Sequence, residues 1–215
     1  MKLLAATRSA GKQREIRRIL QASGIEVVFP DDIGILPSSA EDALEVGESF
    51  EANARRKAEY FAKRTGMPTV ADDSGLEVFS LGGAPGVRSR RWAGAAGTPV
   101  EVDAANNAEL LRRLAGAPET RRCARYRCVL VYLPDMDAIP EIFVGSCNGL
   151  ILEQPRGAGG FGYDPLFLSD ELKKSFGEAT DQEKDRVSHR GRAFRALIDA
   201  LLGTTESEGL GPLPP

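Results

Sequence analysis

The stretch Pro68-Thr69-Val70-Ala71-Asp72-Asp73-Ser74-Gly75 carries most of the information in this sequence. Its residues 69–71 predict a short buried strand that runs into two adjacent carboxylates, a hydroxyl and a glycine. Adjacent carboxylates repel each other, and a divalent cation that prefers oxygen ligands, such as Mg²⁺, relieves that repulsion. The alternative is a turn that ends the strand, because Asp, Ser and Gly all favour turns. Taken alone, the stretch leaves both interpretations open.

The composition sets the class of protein. A chain of 215 residues is long enough for one large domain or two small lobes. Its net charge of −3 argues against a protein that holds long nucleic acid, although a local basic pocket for a small anion stays possible. No apolar stretch reaches the length of a transmembrane helix, and Arg8 and Lys12 follow the N-terminus too soon for a signal peptide. We therefore expect no membrane partner.

The cysteines and the histidine argue against a zinc site. The three cysteines, Cys123, Cys128 and Cys147, are odd in number and contain no CxxC pair, and His189 is the only histidine. Reduced thiols are the simplest interpretation, which predicts a cytoplasmic protein.

The remaining periodicity predicts a mixed α/β protein. Strands are expected at 2–6, 25–29, 69–71, 121–133 and 142–152, with an extended segment at 76–81, and helices at 11–23, 49–64, 102–114 and 188–202. The two long strands, joined near 135–140, resemble an antiparallel hairpin. We expect a long-stranded twisted sheet flanked by helices, forming one two-lobed domain over 1–203 with a central cleft. Residues 204–215 have the composition of a disordered tail.

A phosphate-binding loop is the first candidate site. Thr7-Arg8-Ser9-Ala10-Gly11-Lys12 lies between the first predicted strand and helix, where free backbone N–H groups bind phosphate. Lys12 falls in the first helical turn, where a cation opposes the helix dipole unless an anion bridges the two. The spacing does not match the Walker A loop. A solvent-facing lysine at a frayed helix end is the alternative.

The second candidate site is the glycine-rich loop Gly157–Pro165. Glycines on both sides of Phe161 leave its ring free to stack on a base, whereas a loop with the ring packed into the core is the ordinary outcome. Asp164 precedes a proline, which biases its backbone toward an extended form.

The start of the last predicted helix is the third candidate site. His189 lies near the N-terminus of this helix, where the positive end of the dipole favours neutral imidazole. Lys184 and Arg190 supply only hydrogen-bond donors, which suit a 6-oxo purine and disfavour adenine. The alternative is a capped amphipathic helix with solvated charges.

Three further charged groups have ordinary alternatives. Glu45 could complete an oxygen-rich metal shell with Asp72 and Asp73, and Lys57 lies within the second predicted helix; each alone reads as a surface charge. Arginines at 121, 122, 125 and 127, with others at 88, 90 and 91, could form a phosphate or RNA patch, although such runs more often face solvent.

In order along the chain, these segments resemble the inosine/xanthosine triphosphate pyrophosphatase family. The resemblance runs from Leu3 to about Leu202. Its most specific stretches are Ala71–Val78, Leu81–Val87, Gly159–Pro165 and Ser188–Gly191. It implies Mg²⁺-dependent hydrolysis of ITP, dITP or XTP to the monophosphate and pyrophosphate by a homodimer with an elongated, two-lobed fold.

The resemblance also implies roles for individual residues. Asp73 would be the general base for the attacking water, and Glu45, Asp72 and Asp73 would hold Mg²⁺. The triphosphate would be held by Thr7, Arg8, Ser9, Ala10, Gly11, Lys12 and Lys57. The nucleoside and base would be held by Ser74, Phe161, Gly162, Tyr163, Asp164, Lys184, His189 and Arg190.

The first loop departs from the family pattern. Members usually have Gly-Asn where Arg8-Ser9 stand, and Arg8 could compensate by adding positive charge. Cys147-Asn148 also replaces a bulkier pair found in some members, at a position that bears on the dimer or the edge of the pocket.

Two other functions stay open on the sequence. One is a related pyrophosphatase that acts on modified or pyrimidine nucleotides. The other is a non-catalytic nucleotide- or RNA-binding module, suggested by the arginine-rich strand. Clustered carboxylates argue against that module, because a protein that only binds anions gains nothing from them.

Overall fold

A single six-stranded sheet organises the protein. The computed structural model of the chain describes residues 1–203, so the disorder expected for 204–215 lies outside the described residues. The strands are β1 (Lys2–Ala5), β2 (Glu26–Val28), β3 (Thr69–Val78), β4 (Cys123–Leu133), β5 (Glu141–Ile151) and β6 (Phe167–Ser169). They lie in the order β2-β1-β3-β4-β5-β6; β1 is parallel to β2 and β3, and the other pairs are antiparallel.

Helices cover both faces of this sheet. They are α1 (Ala10–Leu20), α2 (Phe50–Thr65), α3 (Pro99–Arg113), α4 (Asp181–Val187) and α5 (His189–Leu202). Hydroxyl side chains begin them: Ser9, Ser49 and Ser188, for example, each accept a bond from an N–H of the first turn. The mixed α/β fold and the β4–β5 hairpin predicted from the sequence are confirmed. No helix within residues 1–203 is long and apolar enough to cross a membrane.

The strand predicted to stop at the aspartate pair does not stop there. β3 continues through Asp72, Asp73 and Gly75 to Val78, and all ten of its residues pair with β4. The prediction was wrong because continuous backbone pairing with a long partner strand overrides the local turn preference of Asp, Ser and Gly. The extended segment expected at 76–81 also ends early, since Phe79–Leu81 is a 3-10 turn.

The sheet is interrupted beside the aspartate pair. β1 ends at Ala5, which pairs with Val70. Beyond Val70, no strand within residues 1–203 pairs with β3 on its β1 side. The chain turns there into the loop 7–9 and then α1, so Asp72, Asp73 and Ser74 lie at an open edge inside the sheet.

Three apolar clusters hold this arrangement. One lies between the sheet and helices α1 and α5, around Leu3, Leu130 and Phe194. A second packs α2 on the opposite face, around Phe61 and Val131. The third lies at the far end of the sheet and contains Leu76, Leu110, Tyr126, Phe167, Phe176 and Val187. The helices that border the open edge are therefore anchored separately from those at the far end.

Candidate active site

A cleft of about 1000 Å³ opens at the interrupted edge of the sheet. One side is formed by the loop 7–12, by Glu45 and by Lys57. The other side is formed by α3 and the glycine-rich loop 158–165, and His189 and Arg190 also line the cleft. The structure therefore brings into one cleft groups that are as far apart in sequence as Thr7 and Arg190.

The two aspartates point to opposite faces of the sheet, because side chains alternate along a strand. Asp73 faces α2, where it accepts a hydrogen bond from Asn53 Nδ2 at 2.8 Å. Asp72 faces α1 and α5, where Lys12 Nζ lies 2.9 Å from its Oδ2 and Arg190 Nη2 lies 3.2 Å from the same atom. Asp73 lines the cleft, whereas Asp72 is almost entirely buried behind it.

The environment of Asp73 suits a general base. Burial raises the pKa of its carboxyl above the usual value, and Lys57 and Lys12 only partly oppose that rise. Lys57 Nζ lies 3.5 Å from Asp73 Oδ1 and donates at 2.8 Å to Glu45 Oε1 and at 2.6 Å to the carbonyl of Asp72. A base with a raised pKa holds an abstracted proton more firmly, so the position can take a proton from water.

Asp72 has the opposite electrostatic character. Burial alone would raise the pKa of this carboxyl, but Lys12 and Arg190 outweigh burial and hold the pKa far below its usual range. Its Oδ2 also accepts a bond from Ser74 at 3.1 Å, whereas its buried Oδ1 has no hydrogen-bond partner among residues 1–203. Asp72 is therefore a permanently charged group with one unused oxygen.

The three predicted metal ligands do not form a ready-made metal site. Within residues 1–203, no group of three or more Asp, Glu, His or Cys side chains is arranged to hold a metal ion. Lys57 lies between Glu45 and Asp73, and Lys12 lies against Asp72. These ammonium groups neutralise the carboxylates and occupy the space between them. The donor chemistry still fits a hard cation: all are carboxylate oxygens, and Asp72 Oδ1 is unpartnered.

The loop 7–12, which the sequence predicts to bind phosphate and which we call the phosphate loop, lies between β1 and α1 as expected. Ser9 is the N-cap of α1, and its hydroxyl accepts from the N–H of Lys12. Thr7 Oγ1 accepts from the N–H of Ser9 at 3.2 Å, which fixes the turn. Ala10 and Gly11 line the cleft beside them. Ser9 therefore takes the capping role, and the cation of Lys12 turns toward Asp72.

A network of buried charges joins α1 to α4, α5 and the glycine-rich loop. Glu15 accepts from Lys184 at 2.6 Å and is also bonded to Arg190 Nη1, and Lys184 in turn bonds Asp164 Oδ2. Burial would raise the pKa of Glu15, but Lys184 and Arg190 bring it down to about 2. Both cations are thereby fixed in position and remain charged.

The glycine-rich loop is held closed by hydrogen bonds. Phe161 N–H donates to Asp164 at 2.7 Å, and the Phe161 ring packs against Gly11, 5.0 Å from Lys184 Nζ. Gly162 donates its N–H to Asp103 and accepts from Asn107, both on α3. In the described structure the ring is half-buried between α1 and these cations.

Two members of this loop serve as braces. Tyr163 is buried, and its hydroxyl donates at 2.9 Å to the carbonyl of Ser89. Asp164 is buried as well, and its carboxylate joins the loop to Lys184. Both line the cleft, but their polar atoms are already bonded to the protein.

His189 lies flat against Tyr126. The ring centroids are 4.6 Å apart and the planes differ by 7°. Burial, followed by repulsion from Arg190, lowers the pKa of His189 well below 6.5. This direction agrees with the neutral form expected from the sequence, and burial is its largest cause. Its Nδ1 is buried without a hydrogen-bond partner in the described part of the chain.

We expect His189 to stay neutral at pH values where an ordinary histidine is charged. Its folded pKa lies below the unfolded value of about 6.5, so the unfolded state binds the extra proton and stability falls as pH drops below that value. Nitrogen-15 NMR of this single imidazole at about pH 6 measures its charge state. The urea-unfolded chain is the control, in which the ring should titrate normally. An imidazolium signal in the folded protein at that pH would contradict the expectation.

The sequence interpretation missed two important groups. Glu15 lies one turn before Ile19 on the apolar face of α1. A carboxylate at such a buried position indicates that a cation pairs with it, so the sequence pattern could have revealed this residue. Asn53 had no comparable signal, since a helical asparagine is common on exposed surfaces. Its side chain is fully buried: Nδ2 donates to Asp73, and Oδ1 accepts from the N–H of Gly47.

Comparison with known proteins gives consistent matches over nearly the whole length. The sequence profile of the Ham1 family matches residues 3–200. A dITP/XTP pyrophosphatase from Yersinia pseudotuberculosis is 44% identical over 201 residues, covering 93% of this chain and 98% of the relative. One from Frankia alni is 46% identical over 202 residues, covering 94% and 97%.

Solved structures agree with the sequence matches. A HAM1 protein from Coxiella burnetii is 34% identical and superposes with a TM-score of 0.80, covering 94% of this chain and 99% of that one. A nucleoside-triphosphatase / dITP/XTP pyrophosphatase from Mycobacterium abscessus is 41% identical, with a TM-score of 0.69 and coverage of 92% and 98%.

Proposed function

This chain belongs to the Ham1 family, and we propose that its cleft is the active site of a nucleoside triphosphate pyrophosphatase. In this proposal the enzyme hydrolyses ITP, dITP and XTP to the monophosphate and pyrophosphate, and the relatives described above are named dITP/XTP pyrophosphatases. The observation that carries the proposal is the position of Asp73: a buried carboxylate with a raised pKa that lines a cleft flanked by lysines.

The chemistry follows from groups of this chain. Asp73 takes the proton of the water that attacks the α-phosphate, while Asn53 and Lys57 fix the orientation of its carboxylate. Lys12 and the backbone of the loop 7–11 hold the triphosphate and offset its charge. Lys57, beneath Glu45, adds a second cation on the same wall. Catalysis is then mainly positioning and charge stabilisation.

The cofactor is Mg²⁺ in this proposal. Glu45 and Asp73 would hold it from the cleft, and Asp72, whose side chain points to the opposite face of the sheet, would join them only after its unpartnered Oδ1 turned toward the cleft. When bound, the ion neutralises phosphate charge and orients the substrate. The carboxylate oxygens of these residues are hard donors, which supports the choice of Mg²⁺. In the absence of the ion, the ammonium groups of Lys12 and Lys57 partly neutralise the same carboxylates.

The base end of the cleft favours a 6-oxo purine. Lys184 and Arg190 present donors only, and Ser74 accepts from Arg190 at 2.7 Å. Neutral His189 and the ring of Phe161 border the same space. The remaining lining there is formed by the backbone of Gly162 and the side chains of Tyr163 and Asp164. We infer that an oxo group at position 6 is bound there, whereas the 6-amino group of adenine would meet another donor.

A substrate panel tests the function. We expect pyrophosphate release from ITP, dITP and XTP with Mg²⁺, and at least about 100-fold lower kcat/KM with ATP, since a donor–donor mismatch leaves buried polar groups unpaired. The released pyrophosphate is converted to phosphate by inorganic pyrophosphatase, and malachite green then measures the phosphate. Equal turnover of ATP and ITP would contradict the proposed selectivity for a 6-oxo purine base. Preference for dUTP or methylated nucleotides would favour the related pyrophosphatase.

The RNA-binding alternative loses part of its motivating observation, because two of the four arginines at 121–127 are bonded within the protein. Arg122 is buried and donates to the carbonyls of Leu114, Ile151 and Leu152, and Arg125 pairs with Glu77. These arginines serve the fold, so we propose no stable nucleic-acid partner. Salt-sensitive RNA binding without hydrolysis would overturn that proposal.

We further propose a cytoplasmic homodimer consisting of single two-lobed domains. Apolar side chains on the open face of β5, Ile142 and Val144, are 41% and 51% exposed, which suits burial against a second copy. The three cysteines are unpaired thiols, as expected in a reducing compartment. Sedimentation analysis gives the mass in solution, and a monomer at micromolar concentration would contradict the dimer.

A further inference from the structure

Arg8 is the residue of the phosphate loop whose side chain turns away from the phosphates. Its Nε and Nη2 donate to the two carboxylate oxygens of Glu41 at 2.9 and 2.8 Å. Its Nη1 donates to the carbonyl of Ile35 at 2.9 Å and is bonded to Asp31. The guanidinium also lies 5.8 Å from the ring centre of Phe61. The added positive charge expected from this residue is therefore already used within the protein.

These bonds tie the end of β1 to a long acidic segment. Residues 31–54 contain seven Asp or Glu side chains and no Lys or Arg, so the segment has no cation of its own to neutralise them. A segment of this charge next to a triphosphate would be repelled from it. Arg8 supplies one counter-charge, shared by Asp31 and Glu41, at the point where the segment passes the phosphate loop. The pKa of Arg8 is raised, chiefly by Glu41, so the cation is permanent.

The middle of the segment, around the 3-10 helix Ser39–Glu45, has few other contacts to hold it in place. This helix contains no buried residue, and its partly buried Leu44 packs against the cluster under α2. Glu45 is the last residue of this 3-10 helix. Its carboxylate meets Lys57, and its carbonyl accepts from Arg91 at 2.6 Å. The position of Glu45 in the cleft therefore depends on how the preceding turn is anchored.

We propose that Arg8 is a positioning residue that acts through Glu41 to set Glu45 against Lys57 and the cleft. The proposal rests on the proposed function, since it assigns how this chain completes the same site. The bidentate pair fixes Glu41, four residues before Glu45 in the same 3-10 helix. Glu45 and Asp73 share Lys57, so a shift of the turn reaches the catalytic carboxylate. In this chain, Arg8 therefore anchors the 3-10 helix through Glu41 instead of contacting a phosphate.

A double-mutant cycle tests this assignment. Arg8→Ala and Glu41→Ala are each expected to lower kcat/KM for ITP by about tenfold, because each removes the same charge-assisted bonds. The double variant is expected to be no worse than either single one, within about twofold. A direct phosphate ligand would behave differently: Arg8→Ala would then reduce activity equally in both backgrounds, and that result would overturn the proposal.

The conservative variant separates charge from geometry. Arg8→Lys keeps the positive charge but cannot form the two parallel bonds to Glu41. We expect the kcat/KM of Arg8→Lys for ITP to be closer to that of Arg8→Ala than to that of the unsubstituted protein. Full rescue by lysine would show that charge near the phosphates is what matters and would contradict the anchoring role.

A readout that needs no activity comes from amide exchange. Arg8→Ala and Glu41→Ala should both speed deuterium uptake in peptides covering 36–48 by about tenfold, with β3 unchanged. Arg17→Ala is the matched control, since it breaks an exposed bidentate pair with Asp32 on the neighbouring turn. Unchanged uptake in 36–48 would overturn the anchoring even if activity fell. If the unsubstituted protein cleaves no nucleotide, the function fails while this measurement still decides the anchoring.

Discussion

Asp73→Asn is expected to keep the fold and to lose about 10²- to 10⁴-fold of turnover, the usual contribution of a positioned general base. Asparagine has nearly the same shape, and its amide oxygen can still accept from Asn53 Nδ2. Burial raises the pKa of Asp73, so its charge is less stable in the folded state than in the unfolded one. The thermal midpoint should therefore stay level or rise while activity falls. Steady-state kinetics with ITP and calorimetry measure the two effects.

The control for this change is a carboxylate on the same strand. Glu77→Gln removes the partner of Arg125 and does not touch the cleft, so its turnover should be close to that of the unsubstituted protein. Turnover by Asp73→Asn above about one-tenth of normal would mean that another group removes the proton.

Gly145→Ala is expected to displace the start of α5 and with it the base end of the cleft. An added Cβ at this position of β5 would lie 2.1 Å from the carbonyl oxygen of His189 and 2.6 Å from the nitrogen of Ala193. Both are backbone atoms of α5, so no side chain can rotate to make room. We expect a loss of about 2–3 kcal/mol in the free energy of unfolding. Because His189 and Arg190 move with the helix, KM for ITP should rise more than kcat falls.

Denaturant unfolding and ITP kinetics test this on the same preparation. Glu141→Ala is the control on the same strand: its side chain is exposed and does not line the cleft, so both quantities should change little. Unchanged stability and KM in Gly145→Ala would mean that the helix can retreat without cost. A loss of stability with no rise in KM would show that the helix start does not set substrate binding.

The parts of the site that sequence could predict are those with local signals. The strand-loop-helix run at 7–12 and the capped helix start at Ser188 follow from short-range patterns, and both lie in the cleft. The neutral state expected for His189 was argued from the helix dipole, whereas burial is the largest cause of its lowered pKa. The dipole is a local feature visible in sequence, whereas burial depends on Tyr126, 63 residues earlier on β4.

The remaining features depend on distant partners. Whether Asp72-Asp73 ends a strand depends on β4, and its pairing with Leu130 and Val129 decided the outcome. The direction in which Arg8 points depends on Glu41, 33 residues away. Composition and periodicity cannot reveal such pairings, because they describe each segment by itself.

The mid-strand position of Asp73 has a consequence for how function fades with heat. Its backbone is paired with the interior strand β4 in the middle of a ten-residue ladder, in the part of a fold that opens last, whereas the loop 7–12 and the turn 39–45 belong to the part that opens first. As temperature rises, substrate capture should weaken while the reacting carboxylate is still in place. The enzyme would then lose affinity well before it loses its capacity for chemistry, and cooling should restore affinity without refolding of the sheet.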